Sequence, residues 1–400
     1  MATFPVKYIN NNMRGAPQLS GTAGTLIAVL DAFLITGFGQ VTALSVTVAG
    51  GIATASLQSG QSFDPYCVVL VDGATPAELN GEARVLTSSS TSITFATTAP
   101  DGVATGAITI KVAPVGQWEK PFTGTNQAAY RSSAAAGSRF YLYVDDTGTT
   151  TARVRGFETM TSLGSGTGQF PTDAMVSGGG YFGKSVAANT TPVRYDLAAD
   201  GRAVLWAIAI GSGANATHTV SPLRGFGDML ALAPNGDSYA VALAHHNSVS
   251  DIPNNYIKGA FDGYGAGVSN GNGTITLARN ASGLGSAVVA NLRAYVGSVF
   301  PSGRDSTLGV FPSTIDGELK HSKVFISATD GDRTPRAEVP GLLIIAQSNV
   351  TATLDARDTV AGTGSLIGRK LLCLLTCEPY SSTARSNAGA YLLDITGPWR

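Results

Sequence analysis

A mainly β fold, made of antiparallel β-sandwich or barrel-like modules with one short N-terminal helix, follows from three features of this 400-residue sequence. Short apolar segments of alternating polarity recur with turn signals at intervals of about 8 to 12 residues, the pattern of antiparallel sheets. Glycine reaches 49 residues and charged residues only 13%, about half the usual fraction of roughly 25%, so the surface is turn-rich and weakly charged. Only the stretch from Ser20 to Gly39 carries a clear helical period.

In that stretch Ser20 or Thr22 is a candidate N-cap, and Gly37 and Gly39 are C-terminal stops. Leu26, Val29, Leu30, Phe33 and Leu34 share one face, which predicts burial against a sheet with Asp31 pointing away. From Val41 to Pro114 the period changes to strands: LSVTV, IATASL, CVVLVDG, ARVLTSS, SITFATT and GAITIKVAP. Asn80-Gly81 and Asp101-Gly102 supply turns that need φ > 0. Trp118, Pro121 and Phe122 then read as an aromatic linker that packs one module against the next.

The segment from Arg139 to Pro171 predicts a hairpin, with Asp145 to Thr150 as its turn and Arg153 and Arg155 on the returning strand. Phe140, Leu142 and Val144 are expected to face a core, while Tyr141 and Tyr143 present phenols on the other side. Further sheet with long loops follows, including AVLWAIAI, VPGLLIIAQ, GRKLLCLLTC and a docked end at Trp399 and Arg400. Gly263 to Gly285 is too rich in Gly, Ser and Asn to hold a core, and SAVVANLRAYVG fits a strand or a short helix. The expected division is an N-terminal segment at 1–40 packing on the body, a small β module at 41–115, and a larger β-rich body at 116–400.

Composition excludes several classes. With 26 basic and 27 acidic residues no net field draws nucleic acid or an anionic membrane. The longest apolar run, Leu26 to Ile35, is well short of the roughly 20 residues of a membrane span. The first residues lack the charged start and apolar core of a secretory signal, so synthesis in a cytoplasm is expected. Three cysteines, Cys67, Cys373 and Cys377, argue against a disulfide framework.

The chemistry-bearing candidates each have a structural alternative. Asp146-Thr147-Gly148 matches the nucleophile-activating triplet of aspartic proteases, but that chemistry needs two such carboxylates sharing a proton and the chain has one triplet; a hairpin turn is the expectation. His245 and His246, adjacent on a strand, point to opposite faces and cannot chelate one ion together, so they and His218 and His321 are expected as ordinary surface or interface histidines. Cys373 and Cys377 read as buried thiols. The glycine loops at 164–168 and 211–213 lack the strand, helix and Lys-Ser/Thr context of a phosphate cradle. Asp330 and Asp332 lack the further oxygen ligands of a calcium site. The expectation is a protein with no catalytic residues, no cofactor and no metal.

APQLSGTAGTLIAVLDAFLITGFG, DGATPAELNGEARVLTSSSTSITFATT, ATGAITIKVAP, the YVDDTGTTTARVRGFETM hairpin with its GTGQFP loop, RGFGDMLAL and the terminal LLDITGPWR together resemble a family of virion structural proteins of tailed bacteriophages. The resemblance covers most of the chain and is strongest before about residue 185 and at the C-terminal end. It implies a place in the particle, at the tail tip, baseplate or neck, with copies of itself and other virion proteins as partners. It implies release by host lysis rather than secretion. A host-surface binding module, recognising glycan or receptor, and a head decoration protein are the alternatives.

Overall fold

The computed structural model describes residues 3–210, 221–248, 261, 273–294, 308–328, 335–345, 347–377 and 388–400. The fold is mainly β, with antiparallel sheets, one of them curled into a half-barrel, and a single short helix near the N-terminus.

The largest sheet has 13 strands. Lys7–Asn10 starts it beside Tyr195–Ala199. Ala203–Ile208, Leu223–Asp228, Val241–His245, Thr274–Leu277, Val288–Ala294, His321–Ala328 and Ala337–Ile345 then follow in chain order. That order is broken at the far end, where Ala388–Asp394 inserts between Ala337–Ile345 and Lys370–Cys377 and Thr359–Ala361 forms the edge, and by Leu230–Ala231, which pairs with Ala337–Ile345 off the main path. Strands 195–199, 203–208, 223–228, 241–245 and 274–277 are buried along their whole length. Being covered on both faces, Ala203–Ile208 reads as a continuous apolar run, AVLWAI, while Leu223–Asp228 buries Arg224 and Asp228 among its apolar residues. One cover is a five-stranded sheet, Trp118–Gly124, Gln127–Ser132, Tyr141–Asp145, Thr151–Phe157 and Gly180–Gly183, whose strands lie in chain order. Across that contact Phe182 meets Trp206 edge-on at 4.6 Å between ring centroids, and Phe170 stacks on Phe226 at 6.2 Å.

The segment from Phe38 to Val112 forms an eight-stranded sheet ordered 38–42, 109–112, 68–72, 81–88, 92–96, 52–56, 45–49 and 102–103. Its strands show the alternation the sequence predicts: Val46 and Val48 are buried while Ser45, Thr47 and Ala49 are exposed. Gly50 and Gly51, both at positive φ, close the 45–49/52–56 hairpin, where a primed turn matches the strand twist. Gly81 and Gly102 also take positive φ, as expected of Asn-Gly and Asp-Gly turns. This sheet is tied to both chain ends: Arg84 donates to the carbonyls of Val6 and Thr396, and Lys7 pairs with Glu82.

Several expectations need correction. The helix is Thr25–Asp31, continued by a π-helical turn Ala32–Thr36, and its N-cap is Gly24 with no side-chain cap of its own. Neither Ser20 nor Thr22 caps it; their carbonyls accept from the Thr25 hydroxyl instead. The five apolar residues of its face are buried as predicted. Asp31 does not simply face water, because it accepts from Tyr130 Oη at 2.8 Å and Lys120 Nζ at 2.7 Å. The aromatic linker is itself a strand, Trp118–Gly124, and Trp118 docks it on the body by donating to the Asp200 carbonyl. Thr274–Leu277, inside the stretch read as coreless, is a fully buried strand with Ile275 and Leu277 in the main core; four apolar or β-branched residues suffice when both neighbours are strands. Val288–Ala294 resolves as a strand.

Candidate functional site

Tyr141 and Tyr143 are not presented to solvent: they are 8% and 5% exposed. A two-stranded ribbon, Thr159–Ser162 with Ser165–Thr167, belongs to the same turn of chain that covers them, and Met160, Phe157, Ala129, Phe122 and Leu163 complete a separate small core. The glycine loop at 164–168 is that ribbon's turn and return strand, with Gly164 near the Tyr143 ring and Gly168 against Glu158. It is a cover for aromatics, not an anion cradle. Arg153 lies 3.8 Å over the Tyr181 ring and donates to the Gly179 carbonyl, and Arg155 reaches the Gly178 carbonyl at 3.1 Å. Both arginines are therefore spent on holding the chain at 177–179.

The Asp-Thr-Gly triplet does form the turn between Tyr141–Asp145 and Thr151–Phe157, and its two neighbouring acids divide the work. Asp145 accepts from the Thr147 amide and hydroxyl and makes the local turn. Asp146 turns inward and is fully buried. Its Oδ2 accepts from the backbone amides of Leu26 at 2.8 Å and Ile27 at 3.3 Å, which caps the helix from 120 residues away. Oδ1 pairs with Lys184, also fully buried. Lys184 Nζ donates as well to the Thr22 carbonyl at 2.8 Å. Burial raises the Asp146 carboxyl above its ordinary range and lowers the Lys184 ammonium, against the hydrogen bond that links them.

The histidines at 245 and 246 occupy opposite faces, as adjacent strand residues must, yet they are core residues, contrary to expectation. His245 Nε2 contacts Thr276 Oγ1 at 2.8 Å and its Nδ1 the His246 carbonyl at 3.1 Å. His246 Nε2 meets the buried Arg224 guanidinium. Burial lowers His245 to about 4 and depresses His246 as well, so both are neutral at pH 7. His321 is half-buried at the start of its strand. Cys67 and Cys373 are buried in different clusters. His218, Asp330, Asp332, the glycine loop at 211–213 and the Cys377 side chain lie outside the described residues. Among the described residues no group of three His, Cys, Asp or Glu is arranged to hold a metal ion, and no helix is long and apolar enough to cross a membrane.

Two open clefts are lined by charged residues, most of them already paired. One, of about 380 Å³, includes Arg202, Asp228, Asp237 and Arg400; Arg202 pairs with Asp228, Arg336 with Asp237, and Arg400 with Asp200. The other, of about 360 Å³, includes Glu158, Asp173 and Arg279, and Glu158 pairs with Arg279.

The most regular exposed feature is the outer face of the eight-stranded sheet. Thr47 lies opposite Thr54, Thr54 opposite Thr94, and Thr94 opposite Thr87, so four threonines form one row across four strands. Ser45, Ser56 and Ser92 form a second row, and Ala49, Ile52 and Ala96 a third. No charged residue interrupts these rows. Exposed apolar side chains border them: Val103 (71%), which pairs with Thr47 from the edge strand, and Leu44 (65%). Cross-strand pairing places like residues side by side; the signal was present in the alternation SVTVA, IATAS and SITFA, but the row becomes visible only once the registers are known.

No known protein family matches this sequence, and no curated protein does. What fold and surface define is a class, a mainly antiparallel β protein with exposed, uncharged Ser, Thr and Ala rows on one sheet face.

Proposed function

We propose that this chain is a structural component of a tailed-bacteriophage virion, at the tail tip, baseplate or neck, and that it works by contact with further copies of itself and with other virion proteins. The particle is suggested by the sequence resemblance. The contact mechanism is carried by one observation, the Ser/Thr/Ala rows of the outer sheet face with Val103 and Leu44 at their border. Interface cores are depleted of charge, because an ion that docks must shed its water. Rows of Ser, Thr and Ala without ions meet that condition, while the buried acids, histidines and arginines are engaged inside the fold. The protein would be made in the host cytoplasm and leave with the particle on lysis.

The alternative of glycan recognition by the 41–115 module needs exposed aromatic platforms. Phe63 and Phe95 are core residues there, and Tyr66 is only partly exposed. The test is mass spectrometry of purified particles together with sedimentation of the isolated protein. Presence in the particle and self-association are expected; absence from particles combined with strictly monomeric behaviour refutes the proposal. Adsorption of the isolated module to host cells would instead support receptor binding.

A further inference from the structure

We infer that Lys184 and Asp146 form an intramolecular isopeptide bond, a covalent modification site that fastens the end of strand Gly180–Gly183 to the turn after strand Tyr141–Asp145. Three observations assemble the reaction. First, both side chains are fully buried, and Lys184 Nζ is in direct contact with Asp146 Oδ1. Among the described residues the other buried lysine, Lys7, pairs with Glu82, which remains 29% exposed. Second, the two oxygens of Asp146 are differentiated. Oδ1 faces the amine, while Oδ2 accepts from the backbone amides of Leu26 and Ile27, an arrangement that stabilises negative charge developing on that oxygen. Third, both backbones are pinned. Asp146 N donates to Asn126 O and Asp146 O accepts from Gly24 N; Lys184 N donates to Thr150 O. Amine and carboxyl are therefore held as neighbours, and such proximity removes most of the entropic cost of joining them.

The step balances without any co-reactant. Burial favours the neutral forms of both groups, and one proton passes from Nζ to Oδ1 to give an amine and a carboxylic acid. The Nζ lone pair attacks Cγ, the Nζ–Cγ bond forms, and the displaced electron pair collects on Oδ2 between the Leu26 and Ile27 amides. Collapse restores the carbonyl at Oδ2 and breaks the Cγ–Oδ1 bond. Oδ1 leaves as water, carrying its own proton and one from the attacking nitrogen. The amide N–H that remains has the Thr22 carbonyl, 2.8 Å from Nζ, as its acceptor. In water the reverse reaction is favoured, but a site that excludes water holds the product.

The bond is read by intact mass and a peptide map of the full chain purified in its folded state. The expected mass is lower than the sequence mass by about 18 Da, one water. After trypsin, the peptide Phe140–Arg153 is expected joined to Gly156–Arg194, uncut after Lys184. This branched species separates the isopeptide from a cyclised aspartate, which loses the same mass but leaves the two peptides separate. Lys184→Arg and Asp146→Ala are each expected to restore the full mass. A folded parent protein at full mass, or a water loss mapped to a linear peptide, overturns the inference. Since the decisive reading is made on the parent chain, it stands even where a variant fails to fold.

Discussion

Placing a pair of charges on the outer sheet face tests the contact mechanism directly. Thr54 and Thr94 occupy adjacent strands in the middle of the threonine row, with Thr47 and Thr87 on either side. Thr54 is exposed and Thr94 half-exposed, so lysines at both positions keep their ammonium groups in water in the isolated subunit. The cost to folding is limited to the difference in β preference, a scale that spans about 1 kcal/mol per site. Docked against a neighbour the same ammonium groups are buried opposite an uncharged surface, and an uncompensated buried charge costs about 3 kcal/mol or more. That corresponds to a weakening of at least about a hundredfold in the dissociation constant. Sedimentation equilibrium of Thr54→Lys/Thr94→Lys against the parent gives the association change, and thermal melting gives the folding change. Association as tight as the parent's, with the double variant folded, refutes the assignment of this face as a contact surface.

Other expectations concern stability. Trp206→Ala empties a fully buried site in contact with the Phe182 ring and is expected to cost about 3 to 5 kcal/mol in denaturant unfolding; a loss below about 1 kcal/mol would contradict the packing described. Gly341 sits at φ 70°, where an added Cβ would lie 2.3 Å from the Trp399 indole. Gly341→Ala is therefore expected to lower the melting temperature and release the Trp399 fluorescence to water, with strain alone worth about 1 to 3 kcal/mol. Burial depresses His245 to about 4 from an ordinary value of 6.5. The unfolded chain then binds more protons than the folded one between those values, so the His245 contribution is complete above pH 6.5 and is lost as pH falls through about 4, a change of about 3 kcal/mol. His245→Asn is expected to show a shallower fall than the parent over that window, measured as denaturant midpoints. Asp64, whose folded value is raised by burial, acts in the opposite sense at the acid end and is common to both proteins.

Much of the scaffold was legible because local pattern and tertiary environment agree. Ser45–Ala49 and Ile52–Ser56 alternate in sequence and alternate in burial, and Leu26, Val29, Leu30, Phe33 and Leu34 share a helical face that is buried. The candidate site was less legible because its partners are distant in sequence. Nothing near Asp146 indicates a lysine 38 residues on or a helix start 120 residues back, so a turn motif concealed a buried node. Tyr141 and Tyr143 read as a solvent face because strand alternation says nothing of the ribbon carrying Met160 and Leu163. His245 ends a strand that is buried along its length and His246 follows it in a bridge to Tyr181, which periodicity alone does not reveal. The threonine row depends on three registers at once, none of them encoded within a single strand.

The proposed place in a virion is decided by locating the chain in the assembled particle. A density map of purified particles is expected to contain this chain in repeated copies in the tail region, with the row of Thr47, Thr54 and Thr94 covered by a neighbouring subunit. A complete map with no density that fits the fold, from particles whose mass spectra also lack its peptides, would contradict it.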